Sequence, residues 1–214
     1  MYEKWIELYP NSSAAWISFA KFEASRNEIE RTRFLYNLAI QNDLDLPESV
    51  WKAYIDFEIE SKEFEEARKL FRQLLEQANH VKVWISFAKF EIENAENYEN
   101  SKSVYAEGYD YLKQDPELKE ERLMILESWI KMEKDKGTEE SYEKVKSKMP
   151  KRVKKRRKIK VIYNNQQDGD QNKEDEGGWE EYYDYIFPDD EDQKRGLKII
   201  EMAHKWKQAK KNDN

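Results

Sequence analysis

Over the first 150 positions the apolar residues recur with helical rather than strand periodicity. Trp16, Phe19 and Phe22 stand at i, i+3 and i+6. The same line returns as Trp51, Tyr54 and Phe57, and again as Trp84, Phe87 and Phe90, each time closed by a glutamate: Glu23, Glu58 and Glu91. Positions at these spacings share one helix face, so each triplet predicts an amphipathic helix whose aromatic stripe faces a partner helix. A second helix is predicted after each first one. The stretches from Arg33 to Ile40 and from Arg68 to Leu75 align, which places Tyr36 20 residues after Trp16 and Phe71 20 after Trp51. In the third copy Tyr105 lies 21 residues after Trp84, and Lys102 takes the arginine position.

The tryptophans are separated by 35 and 33 residues. A fixed period in this range predicts stacked helical hairpins, an all-α solenoid in which each repeat buries its apolar face against its neighbours. Residues 11–47, 48–79 and 80–116 are each expected to form one hairpin. Turns are expected at Asn27, at Ser61–Lys62 and within Asn94–Asn97, and Pro10 and Pro47 separate one hairpin from the next. Residues 117–150 read as a degenerate capping copy, with Leu126, Trp129, Met132 and Glu133 at the stripe positions. Residues 1–10 carry the spacing of a second helix, since Tyr2 precedes Trp16 by 14 residues as Phe71 precedes Trp84 by 13. They are therefore expected to be the second half of a truncated repeat, and the chain a piece of a longer array.

Because the stripe recurs at one spacing in every copy, it is read as core packing rather than as a ligand cage. The expected repeat core is Trp16, Phe19, Phe22, Tyr36, Trp51, Tyr54, Phe57, Phe71, Trp84, Phe87, Phe90, Tyr105 and Trp129. Glu23, Glu58 and Glu91 close the first helices, and Arg33 and Arg68 open the second ones, so these charges are expected to pair across each hairpin.

Charged residues are 39% of the chain and hydrophobic ones 38%, a poor supply for one spherical core but enough for a repeat array. There is no cysteine, which excludes disulfides and thiolate metal sites and fits a reducing compartment. No apolar run approaches the roughly 20 residues needed to span a bilayer.

The net charge of −7 conceals a segregation. Residues 151–160 hold eight basic groups and no acid, whereas residues 168–192 hold twelve acids and one lysine. Lys151, Arg152, Lys154, Lys155, Arg156, Arg157 and Lys158 are candidates for a nuclear-import signal or for contact with RNA phosphates, with a solvated linker as the plain alternative. No aromatic is interleaved in the run, so base stacking is not expected, and phosphate contact would be salt-sensitive. Residues 151–177 as a whole are read as a basic, then acidic, disordered linker.

Residues 178–214 are read as an aromatic docking segment followed by an amphipathic helix. Trp179, Tyr182, Tyr183, Tyr185 and Phe187 crowd into Gly178–Pro188 and are expected to dock on the repeats or on a partner, as is Trp206 on the helix that carries Ile199 and Met202. No catalytic constellation is present. His80 and His204 are isolated from any set with metal-ligand spacing, and no glycine-rich phosphate loop or nucleophile motif occurs. No cofactor, metal or small-molecule substrate is expected, and the chain does not read as an enzyme.

The pattern Trp-x2-aromatic-x2-aromatic-Glu, followed by a helix with Arg-x2-Tyr/Phe, resembles the half-a-TPR (HAT) repeat of RNA-processing proteins. More narrowly, Ser49–Glu60, Val81–Glu91, Glu120–Trp129, Met149–Lys158 and Gly178–Pro188 are similar to the C-terminal part of the crooked neck-like family of pre-mRNA splicing factors. The resemblance implies a nuclear, non-enzymatic scaffold of the Nineteen complex of the spliceosome. Its implied partners are a second HAT-repeat protein and a Myb-domain splicing factor, near small nuclear RNA and pre-mRNA and away from membranes. Other readings remain open at this point: a HAT scaffold of 3′-end cleavage or ribosomal RNA processing, or direct RNA contact through residues 151–160.

Overall fold

A computed structural model describes residues 1–161, 175–190 and Met202. The chain divides into two compact units, Met1–Gly108 and Tyr109–Asn214. The first unit contains α1 (Tyr2–Leu8), α2 (Ser13–Ser25), α3 (Ile29–Ile40), α4 (Pro47–Glu60), α5 (Phe64–Gln77), α6 (Val81–Glu93) and most of α7 (Tyr98–Leu112). The second contains the end of α7, then α8 (Lys119–Lys136), α9 (Glu139–Lys146) and an antiparallel ribbon of β1 (Lys151–Val161) and β2 (Asp175–Ile186).

In the first unit, helices pair as the period requires: α2 packs on α3 and α4 on α5, and α7 meets α6 where Ser101 Oγ donates to the Ala88 carbonyl at 2.8 Å. Each hairpin turn places one residue in the left-handed region, Asn27 (φ 63°), Lys62 (φ 60°) and Glu96 (φ 52°). The first two lie eleven residues after their tryptophan and the third twelve, so the extra residue of the third copy falls just before Glu96. Pro47 opens α4, where its missing N–H costs nothing. The α3–α4 loop is tied back to the start of α2: Asp45 Oδ1 accepts the Ser13 N–H at 2.8 Å, and Ser13 Oγ accepts the Leu46 N–H at 3.1 Å.

The stripes form the core. Trp16, Phe19, Tyr36, Trp51, Tyr54, Phe57, Phe71, Trp84, Phe87, Phe90, Tyr105 and Trp129 are all buried. Phe22 departs from the expected core list: it is 39% exposed. It lies against Tyr2 at 5.1 Å, and the short α1 leaves its outer edge uncovered. Buried tryptophans also need a partner for the indole N–H. Trp16 donates to the Pro10 carbonyl at 2.8 Å, and Trp84 to Asn79 Oδ1 at 3.0 Å.

In the second unit, α8 buries Ile125, Leu126, Trp129 and Met132. Its end is closed by a compact polar knot. Trp129 Nε1 and Ser141 Oγ donate to the two oxygens of the buried Glu133 at 2.9 and 2.5 Å, and Thr138 and Ser141 form a reciprocal capping box at the start of α9.

The ribbon corrects the linker reading of residues 151–177. Lys151–Val161 is a strand, and Asp175–Ile186 pairs with it from Lys151↔Ile186 to Val161↔Asp175, with an irregularity between Lys158 and Lys160. The boundary drawn at 177/178 therefore cuts through β2, and a β element joins the otherwise helical fold. A basic strand cannot persist alone; its partner is acidic and aromatic, so opposite charges and ring contacts meet across the strands. The remainder of that linker, 162–174, and the amphipathic helix with Trp206 lie outside the described residues.

Candidate functional site

The recurring charges join successive repeats, not the two helices of one hairpin as their order along the chain suggested. Arg33 at the start of α3 donates from Nε to Glu58 Oε1 at 2.9 Å and from Nη2 to Glu58 Oε2 at 2.8 Å. Arg68 on α5 does the same to Glu91 at 2.7 and 2.8 Å. The acceptors belong to α4 and α6, the first helices of the following repeats. The reason is geometric: the second helix of one hairpin packs on the first helix of the next, so the glutamate that ends an aromatic stripe meets the preceding repeat's arginine. Glu23 instead meets Arg31 Nε at 3.5 Å. Glu58 and Glu91 are almost wholly buried, with side chains 1% exposed. Their hydrogen bonds hold the Arg33 and Arg68 guanidinium groups more basic than usual.

The aromatic stripe follows the same rule. Tyr36 stacks on Tyr54 at 4.9 Å and meets Phe57 at 6.0 Å; Phe71 stacks on Phe87 at 4.8 Å and meets Phe90 at 5.5 Å; Tyr2 stacks on Phe19 at 5.6 Å. The +3 and +6 positions therefore form the seat for the ring of the repeat before. Burial pushes the Tyr36 and Tyr54 hydroxyls up to about 12.

The basic run lies on the ribbon opposite acids and rings. Arg157 Nε donates to Glu180 at 2.7 Å, Arg156 Nε to Glu181 at 2.9 Å, and Lys155 to Asp184 at 2.5 Å, while Lys154 also pairs with Glu181. The Arg152 guanidinium sits 3.7 Å from the centre of the Tyr183 ring, and Lys158 stands over Trp179 at 5.8 Å. Arg157 also lies over Tyr182 at 5.3 Å. Lys151 is exposed at the first rung of the ladder.

The aromatic segment separates into two groups. Trp179 and Tyr183 are 64% and 57% exposed, Tyr182 and Tyr185 are half-buried, and Phe187 is fully buried. Phe187 thus docks inside its own unit and presents nothing to a partner. It lies under the Arg122 guanidinium of α8, 3.8 Å from the ring centre. Arg122 Nη1 donates to both Asp190 oxygens at 2.9 and 3.1 Å, and Nη2 donates to the Tyr109 hydroxyl at 2.8 Å. That hydroxyl donates to Asp189 Oδ2 at 3.0 Å, and Lys113 donates to the same oxygen at 3.2 Å. Burial opposes the ionisation of Asp189, and the hydrogen bonds from Lys113 and Tyr109 outweigh it, so its carboxyl lies below the usual range. The Lys119 ammonium, at 2.7 Å, followed by Lys155, holds the Asp184 carboxyl far below that range.

Sequence reasoning missed the anchor built from Tyr109, Lys113, Lys119, Arg122, Asp189 and Asp190. One signal was available: Arg122 lies on the apolar stripe of α8, three residues before Ile125 and seven before Trp129, where a charge demands a buried partner. Among the described residues, no group of three or more His, Asp or Glu side chains is placed to hold a metal ion. Nor is any described helix long and apolar enough to cross a membrane.

Comparison with known proteins places this architecture. The family model of the Suppressor of forked protein (Suf) matches residues 1–115. Crooked neck-like protein 1 of Mus musculus is 47% identical over 210 residues, which is 97% of this chain and 29% of that protein. The Homo sapiens protein of the same name is 45% identical over 218 residues, covering all of this chain and 24% of its own length. Pre-mRNA-splicing factor cwf4 of Schizosaccharomyces pombe is 40% identical over 227 residues, 97% of this chain and 31% of that protein. The chain thus spans less than a third of the length of these relatives, and the similarity runs past the helices and through the ribbon. The chain belongs to the Suppressor of forked (Suf) family of helical-repeat proteins and is homologous to the crooked neck-like and pre-mRNA-splicing factor proteins.

Proposed function

We propose that this chain is a non-enzymatic scaffold segment of a nuclear splicing machine, acting in pre-mRNA splicing through protein–protein contacts of its helical repeats. The observation that carries this reading is similarity over 97% of the chain to proteins named as splicing factors, continuing from the repeats into the ribbon. Repeat packing alone does not require that continuation. The geometry supports a scaffold role: within residues 1–108, ring seats and two bidentate ion pairs fix successive repeats together, and the outward helix faces stay open for partners. Phe34 and Leu38 on α3, for example, are 62% and 38% exposed. The partners we assign are a second HAT-repeat protein and a Myb-domain splicing factor of the Nineteen complex, with small nuclear RNA and pre-mRNA nearby.

Affinity capture from nuclear extract tests this reading. The chain should recover spliceosomal proteins, those two among them. Recovery of 3′-end cleavage or ribosomal RNA-processing factors in their place would move the scaffold to another complex.

A further inference from the structure

The ribbon register creates a surface that the linear sequence does not display. In an antiparallel pair, residues directly opposite each other share a face and successive residues alternate. Arg152, Lys154, Arg156 and Lys158 of β1 therefore lie on the same face as Trp179, Glu181, Tyr183 and Tyr185 of β2. The other face carries Val153, Tyr182, Asp184 and Ile186, all at least half-buried, with Asp184 held by Lys119 of α8. It also carries the exposed Lys151, Lys155, Arg157 and Glu180, of which Lys155 and Arg157 are paired with Asp184 and Glu180, so no exposed ring stands on that side. The first face is open: its four basic side chains are exposed, as are Trp179 and Tyr183. It holds four cations, two exposed aromatic rings and one carboxylate.

We propose that this face binds single-stranded RNA. The cations match phosphate charge, and the rings match unpaired bases, which stack on any exposed aromatic without regard to sequence. Trp179 and Tyr183 are four residues apart on one side of a strand, roughly 13 Å. Two rings at that separation suit an extended strand with its bases splayed out, whereas a duplex keeps its bases stacked within the helix. The Arg152 guanidinium, already stacked on Tyr183, adds a second planar layer. An acidic peptide would use the cations but leave both rings without a role. Glu181 pairs with Lys154 and Arg156 and competes with phosphate for both.

The test is fluorescence anisotropy of the full chain with labelled oligouridine at about 0.1 M salt. Trp179→Ala and Tyr183→Ala should each weaken binding about five- to 150-fold, and Trp179→Phe and Tyr183→Phe should restore most of it. Glu181→Gln should tighten binding, because it frees two cations. Affinity should fall with salt at about −0.7 in log K per log salt for each phosphate contacted. The phenylalanine variants separate stacking from loss of the ribbon. No measurable binding, or affinity unchanged in both alanine variants, would overturn the proposal. So would a polyglutamate peptide that binds with the same ring dependence, which would assign the face to a protein partner.

Discussion

The Arg33 guanidinium closes on the Glu58 carboxylate through two parallel hydrogen bonds, at 2.9 and 2.8 Å, and so joins the second helix of one repeat to the first helix of the next. Arg68 and Glu91 repeat the arrangement one period on. With the carboxylates buried and the arginines about one-fifth exposed, removing one member strands a buried charge. Arg33→Met is expected to cost about 3 kcal/mol in denaturant unfolding, at the lower end of the range for broken buried pairs because the arginine keeps some solvent. Pairing it with Glu58→Gln should recover part of that loss, and a double-mutant cycle reads the coupling. Arg33→Lys should not restore the wild-type value, because an ammonium cannot match both oxygens.

Trp51 and Phe22 test where the core ends. Trp51 is 3% exposed and Phe22 39%. Trp51→Ala should cost about 3–5 kcal/mol in the same unfolding measurement. Phe22→Ala should cost clearly less, about 1 kcal/mol, since much of that ring already meets water. Equal losses would show that the stripe is not divided as described.

Gly137 is required by close approach rather than by backbone angle. A methyl group there would lie 2.1 Å from Glu133 Oε2, 2.7 Å from the Glu133 carbonyl oxygen and 2.8 Å from Ser141 Oγ. Gly137→Ala should therefore open the Trp129–Glu133–Ser141 knot and lower stability by about 1–3 kcal/mol. Thermal unfolding checks the loss, and hydrogen exchange should place its local effect at the start of α9.

The ribbon anchor should respond to acid. Lys119, and then Lys155, depress the Asp184 carboxyl. A carboxylate depressed on folding contributes stability that is fully present above its unfolded value of about 3.9 and is lost as pH falls through the lower folded value. An NMR titration of the Asp184 side chain should show protonation only below the ordinary carboxylate range. Lys119→Gln should move the titration upward and weaken the acid resistance of the ribbon.

The repeats were legible because their signal is local: a helix stripe needs only one segment to be read, and Trp16, Trp51 and Trp84 set the period. The pairing of Arg33 was not, because chain order places Glu23 nearest, whereas packing brings Glu58 to it. The ribbon was hidden for a related reason. Residues 151–158 contain a single apolar side chain, Val153, so no alternation marks them as a strand. Their register exists only against Trp179–Ile186, and the interleaving of rings with cations arises from pairing, not from composition. Phe187 carried an ambiguous signal, since a buried plug and an exposed docking residue look alike in sequence. Arg122, an arginine on an apolar stripe, was the available clue to its anchor.

Hydrogen exchange of the chain, alone and within the complex captured from nuclear extract, tests the scaffold claim most directly. The account predicts that amides on the outward helices of residues 1–108 gain protection when partners are present, while the already buried seats around Tyr36 and Phe71 change little. Unchanged exchange throughout residues 1–108 in the captured complex would contradict it.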